Sequence, residues 1–214
     1  MSLILAPSMM SADFDALGAE TARLDRAGAD MFHIDVMDGS FVPNLAMGVQ
    51  DIACIRRHTK KPVDSHLMML NPSKYVSLFA KLGVNILYIH PETDHNPYRT
   101  LAEIEAHGMA PGIAVNPGVS FETVRELLPL CRYVLCMGVN PGFGGQAFLP
   151  HTVPKIKQLV KHGKELGYTL FVDGGVCPEV VEDLRPLGVT GFVLGQSSLF
   201  GLGRPYDELI RGYR

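Results

Sequence analysis

Short apolar runs rich in β-branched residues alternate along the chain with segments whose apolar positions recur at helical spacing. The runs predict strands over 3–7, 31–36, 62–68, 84–90, 110–115, 133–139, 169–173 and 190–195. Between them, helices are expected near 13–28, 46–58, 72–82, 97–107, 121–130, 152–166, 178–187 and 205–212. Asn71-Pro72 and Asn96-Pro97 place a capping residue before proline at the first helical position. Asp13 and Ser120 are suited to cap the helices that follow them, and Gly83 and Gly108 fit helix ends. In 152–166, Val153, Ile156, Leu159 and Val160 form one apolar stripe, with Lys155, Lys157 and Lys161 expected on the solvated face around it.

Eight strand–helix units in 214 residues average about 27 residues each, compact for a βα repeat. Strict alternation without a linker or a break in composition predicts an α/β chain with a parallel sheet, one domain over residues 1–214. Eight units suit a closed (β/α)₈ TIM barrel. A doubly wound open sheet is the alternative. That fold usually carries a glycine-rich turn after its first strand, whereas here the turn reads Ala6-Pro7-Ser8-Met9-Met10.

Charge and composition then narrow the classes. Nineteen basic residues against 22 acidic ones give a formal charge of −3, so there is no basic field for a nucleic acid or an anionic membrane. Hydrophobic residues at 47% and charged residues at 19% exclude a disordered chain. No stretch approaches the roughly 20 apolar residues of a membrane span. The start, Met1 to Ser8, has no basic region and too short an apolar run for a signal peptide. Cys54, Cys131, Cys136 and Cys177 contain no C-x-x-C pair. A soluble cytoplasmic protein with reduced cysteines is expected.

Polar residues inside apolar strands carry the candidate chemistry. His33 and Asp35 lie two apart in strand 31–36 and project from one face. His66 lies near the end of strand 62–68, and Asp173 ends strand 169–173. In a barrel these strand ends converge on one mouth. Two imidazoles and two carboxylates meeting there could hold a divalent metal through two nitrogens and two oxygens. Asp64 shares the parity of His66 one layer deeper, which suits it either to orient that imidazole or to stand as a satisfied buried carboxylate. His90 ends its strand and suits either the rim or packing. His58, His95, His107, His151 and His162 are expected on the surface.

Glycine is the second signal. Asn140-Pro141-Gly142-Phe143-Gly144-Gly145-Gln146, Gly174-Gly175 and Gly195-Gln196-Ser197-Ser198 follow three consecutive late strands. Glycine lets backbone N–H groups approach an anion, and barrels often bind phosphate at their last loops. No lysine or arginine sits in these turns, so binding there would rest on backbone dipoles.

The same residues resemble the ribulose-phosphate 3-epimerase family. The matching segments are Ala6-Pro7-Ser8 with Ser11-Ala12-Asp13-Phe14, and His33-Ile34-Asp35-Val36-Met37-Asp38-Gly39 with Phe41-Val42-Pro43-Asn44. They continue with Asp64-Ser65-His66-Leu67-Met68, Asn140 through Gln146 with Phe148, and Val172-Asp173-Gly174-Gly175, in family order over nearly the whole chain. The resemblance implies a barrel that epimerises a ketose phosphate at C3, such as D-ribulose 5-phosphate to D-xylulose 5-phosphate. It implies His33, Asp35, His66 and Asp173 as ligands of one divalent ion (zinc, iron or manganese), with Asp35 and Asp173 also moving protons. It further implies substrate contacts from Ser8 and His66, a site lined by Met37, Met68 and Met137, and phosphate held by Gly142, Phe143, Gly144, Gly145, Gly174, Gly175, Gly195, Gln196 and Ser197. Relatives are commonly homo-oligomers.

Two features depart from the five-carbon pattern. The stretch from Gly195 to Phe200 is one residue longer than usual, and His90-Pro91-Glu92-Thr93 resembles the branch that epimerises D-allulose 6-phosphate to D-fructose 6-phosphate. Phe143-Gly144-Gly145-Gln146 and Asp173-Gly174-Gly175 resemble the pentose branch. A related decarboxylase would need a lysine in the segment that reads Asp35-Val36-Met37-Asp38, and none is there. A non-catalytic phosphosugar-binding barrel is the remaining alternative. No nicotinamide or nucleotide loop is visible.

Overall fold

The computed structural model describes residues 3–214. Met1 and Ser2, at which the expected leaderless start begins, lie outside the described residues. Nine strands form one sheet: β1 (Ile4–Pro7), β2 (Phe32–Asp38), β3 (Leu45–Ala46), β4 (Val63–Met68), β5 (Ile86–Ile89), β6 (Ala110–Val115), β7 (Tyr133–Met137), β8 (Thr169–Asp173) and β9 (Gly191–Leu194). Eight of them pair in parallel in the order β1-β9-β8-β7-β6-β5-β4-β2. The ring closes where Ser8 bridges His33 in parallel, directly beyond β1. The architecture is therefore the (β/α)₈ barrel.

The helices α1 (Leu17–Ala27), α2 (Val49–His58), α3 (Val76–Lys81), α4 (Pro97–Ala106), α5 (Phe121–Val124), α6 (Val153–Leu166), α7 (Pro178–Leu184) and α8 (Tyr206–Gly212) sheathe the ring. Asp13, Ser120 and Asn96 accept backbone hydrogen bonds as caps. Asn71 does not: it sits in the left-handed region at φ 54°, and its side chain makes no cap bond. Two helices give way to 3₁₀ structure before their predicted ends, and the one expected over 72–82 opens in a 3₁₀ turn at Pro72–Tyr75. The segment 121–130 becomes a 3₁₀ helix from Arg125, and 178–187 does so from Arg185. Pro129 and Pro186 lack the N–H that an α-helix needs there.

The two-residue β3 is an addition. It pairs antiparallel with the end of β2, Met37 with Ala46 and Asp38 with Leu45, so the helix expected from 46 starts only at Val49. Asp38 shapes this corner: its carboxylate accepts from the amides of Ser40, Phe41 and Leu70.

The core has two layers. Leu5, Phe32, Ile34, Ile52, Ile55 and Leu87 pack between strands and helices, while Ile86, Tyr88, Leu135, Phe171 and Val193 fill the barrel interior. Small residues make room for the large ones inside. A Cβ on Gly112 would lie 2.5 Å from the Tyr88 ring, and one on Gly191 2.4 Å from Phe171. That interdigitation is how a barrel reaches the density of a packed interior.

Lys155 is the main correction to the helix pattern. It is 8% exposed rather than solvated, and its ammonium donates to the carbonyls of Asn116, Pro117 and Val119. This face of α6 lies against the loop after β6, whose carbonyls need a donor. Lys155→Met should therefore leave three acceptors uncapped and lower the unfolding free energy by about 2 kcal/mol in urea titration, without changing the secondary structure.

Candidate metal centre and anion pocket

Register brings the titratable residues together. Along β2 and β4 the paired positions are His33 with Asp64, Asp35 with His66, and Met37 with Met68. All six face inward, because side chains on a strand alternate between faces. Across the barrel, Asp173 ends β8 beside Met137 of β7. One ligand atom from each of His33, Asp35, His66 and Asp173 can be chosen so that all lie within 4.8 Å of one another. His33 Nε2 is 3.2 Å from Asp35 Oδ1 and 3.8 Å from Asp173 Oδ2; His66 Nδ1 is 3.4 and 3.8 Å from the same two oxygens.

The surroundings orient each member. Ser8 Oγ donates to Asp35 Oδ2 at 2.6 Å, leaving Oδ1 facing the cluster. Asp64 Oδ1 lies 2.6 Å from His33 Nδ1, though off the line of a good hydrogen bond. The reading of Asp64 as a partner for His66 is corrected: parallel pairing seats Asp64 beside His33, while His66 meets His90 instead, Nε2 to Nε2 at 2.7 Å. His90 is fully buried, so it is not a rim residue. His58, His95, His107 and His151 are exposed, and His162 is half-buried against the Phe121 ring.

Electrostatics separates the four groups. Burial alone would raise the Asp35 carboxyl, but His33 and then His66 outweigh it and hold it far below the usual carboxylate range. Burial would lower the His33 imidazole, yet the carboxylates of Asp64 and Asp35 hold it well above its ordinary value. Burial lowers His66 to about 4, with Asp35 opposing and the neighbouring His33 adding to the fall. Asp173 is pushed up to about 7, chiefly by burial and further by Asp35 and Asp64, with His33 opposing. His66 Nδ1 is buried and aimed into the cluster without a hydrogen-bond partner. An unpaired buried nitrogen beside buried carboxylates fits a cation, and this donor set of two imidazoles and two carboxylates fits one divalent ion of the zinc, iron or manganese kind.

The cluster opens onto a cavity through Asp35 and Asp173. Ser8, Asp35, Met37, Met68, Met137 and Asp173 line its floor and walls. Gly142, Phe143, Gly144, Gly145, Gly174, Gly175, Gly195, Gln196 and Ser197 line its upper side. Among the described residues, no lysine or arginine lines it. Among the described residues, the amides of Gly175, Gln196 and Ser197 make no hydrogen bond within the chain. Glycine is required at the β8 turn: Gly175 has φ 67°, and a Cβ there would lie 2.4 Å from the backbone nitrogen of Phe148. The loop after β7 is braced by Gln146, which donates to the carbonyls of Asn140 and Phe143, and by Asn44, which donates to that of Gly142. Met10, Ser11, Val176 and Val193 also line the cavity and were not foreseen as site residues. For Ser11 the signal was present, since it shares the loop of Ser8; for His90 it was the parity of Ile86, Tyr88 and His90 along one inward face.

Comparison with known proteins matches this picture. The model of the "Ribulose-phosphate 3 epimerase family" matches residues 4–200. The ribulose-phosphate 3-epimerase of Synechocystis sp. is 42% identical over 100% of this chain and 94% of its own. The cytoplasmic isoform of Oryza sativa is 42% identical over 98% and 92%, and the Bacillus subtilis protein 40% identical over 92% of each. Among solved structures, tryptophan synthase of Mycobacterium tuberculosis superposes with a TM-score of 0.67 at 17% identity, covering 100% of this chain and 93% of that one. Thiamine phosphate pyrophosphorylase of Pyrococcus furiosus gives 0.66 at 14%, covering 99% and 95%. At such identities the likeness is one of fold.

A metal ligand must give up its proton, which sets the sign of a pH effect. In the protein stripped of metal, Asp173 titrates near 7 and His33 above its ordinary value, so at pH 6 both hold protons that an ion must displace. Zinc uptake at pH 6 should release at least one proton, read by calorimetry in buffers of different ionisation enthalpy. Affinity should weaken by about tenfold per pH unit for each proton released as pH falls.

Proposed function

The chain belongs to the ribulose-phosphate 3-epimerase family, and we propose that it interconverts D-ribulose 5-phosphate and D-xylulose 5-phosphate by moving the proton at C3. One observation carries the reading: both aspartates of the buried cluster open onto the same cavity as the three glycine-rich turns. A ketose phosphate bridging the two would place its anion at the turns and its carbonyl end at the carboxylates.

The C3 proton lies α to a ketone, and its removal leaves an enediolate. Inversion requires removal on one face and return on the other, so two groups must share the work. Asp35 and Asp173 are assigned to it. Their surroundings part their protonation states, Asp35 held ionised by the imidazoles and Asp173 raised by burial, which suits one to accept while the other donates. His33, Asp35, His66 and Asp173 would hold the divalent ion, which when bound would offset negative charge developing near C3. Ser8 fixes the face of Asp35 through its hydrogen bond to Oδ2. Met37, Met68 and Met137 offer polarizable walls that neither titrate nor donate. The free amides of Gly175, Gln196 and Ser197 point to phosphate capture by backbone dipoles.

The names of the relatives support the five-carbon substrate over D-allulose 6-phosphate. The single-domain reading of residues 1–214 belongs to the same proposal, supported by one continuous ring of strands. So does a cytoplasmic site of action, supported by the rice isoform's name; no helix among the described residues is long and apolar enough to cross a membrane. Self-association is proposed as well, supported by exposed apolar side chains beside the β2–β3 corner, of which Leu45 is 76% exposed.

Asp35→Asn and Asp173→Asn should each slow exchange of the C3 proton into solvent by roughly 10²–10⁴-fold while circular dichroism stays unchanged. Near-wild-type exchange by both variants would remove the two-carboxylate mechanism. Chelation should abolish turnover, and added metal should restore it. Side-by-side rates should favour ribulose 5-phosphate over allulose 6-phosphate; the reverse order would reassign the substrate.

A further inference from the structure

The contact between His66 and His90 poses a question of proton bookkeeping. Two ring nitrogens face each other at 2.7 Å, so between neutral rings one must donate and the other accept. His66 turns its other nitrogen, Nδ1, toward the carboxylates of Asp35 and Asp173. To act as a ligand, Nδ1 must present a lone pair, and His66 must then carry its proton on Nε2. His90 accordingly accepts at Nε2 and carries its own proton on Nδ1. That nitrogen is buried, makes no hydrogen bond within the chain, and lies 3.8 Å from Glu92 Oε1.

The opposite assignment is electrostatically poor. It would place a proton of His66 at the position where an ion must sit, and it would aim the bare lone pair of His90 Nδ1 at a carboxylate. Glu92 is held for its part. Its Oε1 accepts from Asn116 Nδ2 at 2.6 Å, and the backbone of Asn116, Pro117 and Val119 is pinned by the Lys155 ammonium. The connected groups therefore run from α6 through the loop after β6 and the loop after β5 to the cluster.

We infer that Glu92, seated by Asn116, is a positioning residue that sets the tautomer of His66 through His90 and so prepares Nδ1 to bind the metal. The inference rests on the metal centre described above. Outer partners of this kind orient metal-binding imidazoles and tune their affinity. Glu92 itself lies at the rim, where substitution spares the core.

The test uses the full chain with ¹⁵N-labelled histidine, stripped of metal, and reads the His66 tautomer from long-range ¹H–¹⁵N correlations. Zinc affinity is measured on the same samples by competition with a chelating dye. Wild type should show the Nε2–H form. Glu92→Gln, whose amide can donate to His90 as well as accept from it, should populate the Nδ1–H form and weaken zinc binding by about tenfold. Asn116→Ala keeps the charge and loses the seat, and should act in the same direction by about threefold, a smaller share of the same effect. An Nδ1–H form in wild type would overturn the inference, as would an unchanged tautomer and affinity in Glu92→Gln. A loss of thermal stability with the tautomer unmoved would show a merely structural Glu92 and overturn it too. Wild type that binds no zinc would overturn the metal centre along with it, whereas zinc-binding wild type whose His66 ignores Glu92 would overturn this inference alone.

Discussion

Buried charge at the mouth of the barrel is the constraint on which the rest of the structure depends. Asp35, Asp64 and Asp173 converge with two imidazoles in a space from which water is largely excluded. Carboxylates in such a place cost several kcal/mol each unless paired. The protein meets part of that cost by holding His33 charged between Asp35 and Asp64, and part by keeping Asp173 partly protonated near neutral pH. A divalent ion bound by four of these groups removes the remaining imbalance. The same imbalance explains why the neighbouring residues are so particular. Ser8 occupies the second oxygen of Asp35, and His90 occupies the second nitrogen of His66.

The adjoining cavity follows the opposite rule. Its lining carries three glycine-rich turns and, among the described residues, no lysine or arginine. A lysine or arginine there would compete with the ion for the two aspartates, whereas backbone amides attract phosphate without adding a mobile positive charge. The turns take positive φ at Gly142, Gly145, Gly174 and Gly175, a backbone that glycine adopts without strain. Met37, Met68 and Met137 line the same cavity with a surface that neither titrates nor competes for hydrogen bonds.

Much of this was legible along the chain. The alternation of short apolar runs with helical stripes marked all eight units, because parity and the 3.6-residue period are local properties of the backbone. His33 and Asp35 declared themselves by a shared face, and the three glycine-rich turns by position after consecutive strands. Local chemistry also misled. Proline inside two apparent helices changed their hydrogen bonding, and β3 arose at a corner organised by Asp38, which collects amides from two separate loops. Lys155 sat in the pattern of a solvated face, although the facing surface is a row of carbonyls 36 to 39 residues away.

What the sequence by itself determined is the inventory: eight strands and helices, the residue types at the strand ends, and the glycines that free backbone amides. What only the tertiary structure decided is partnership. Strand register seated Asp64 beside His33 rather than His66, and closure of the ring brought Asp173 from the far side to within 3.8 Å of both imidazoles. The reason is physical. Periodicity specifies which face a side chain occupies, while a neighbour across strands depends on the stagger of a closed sheet, which all eight strands set jointly and no local segment encodes.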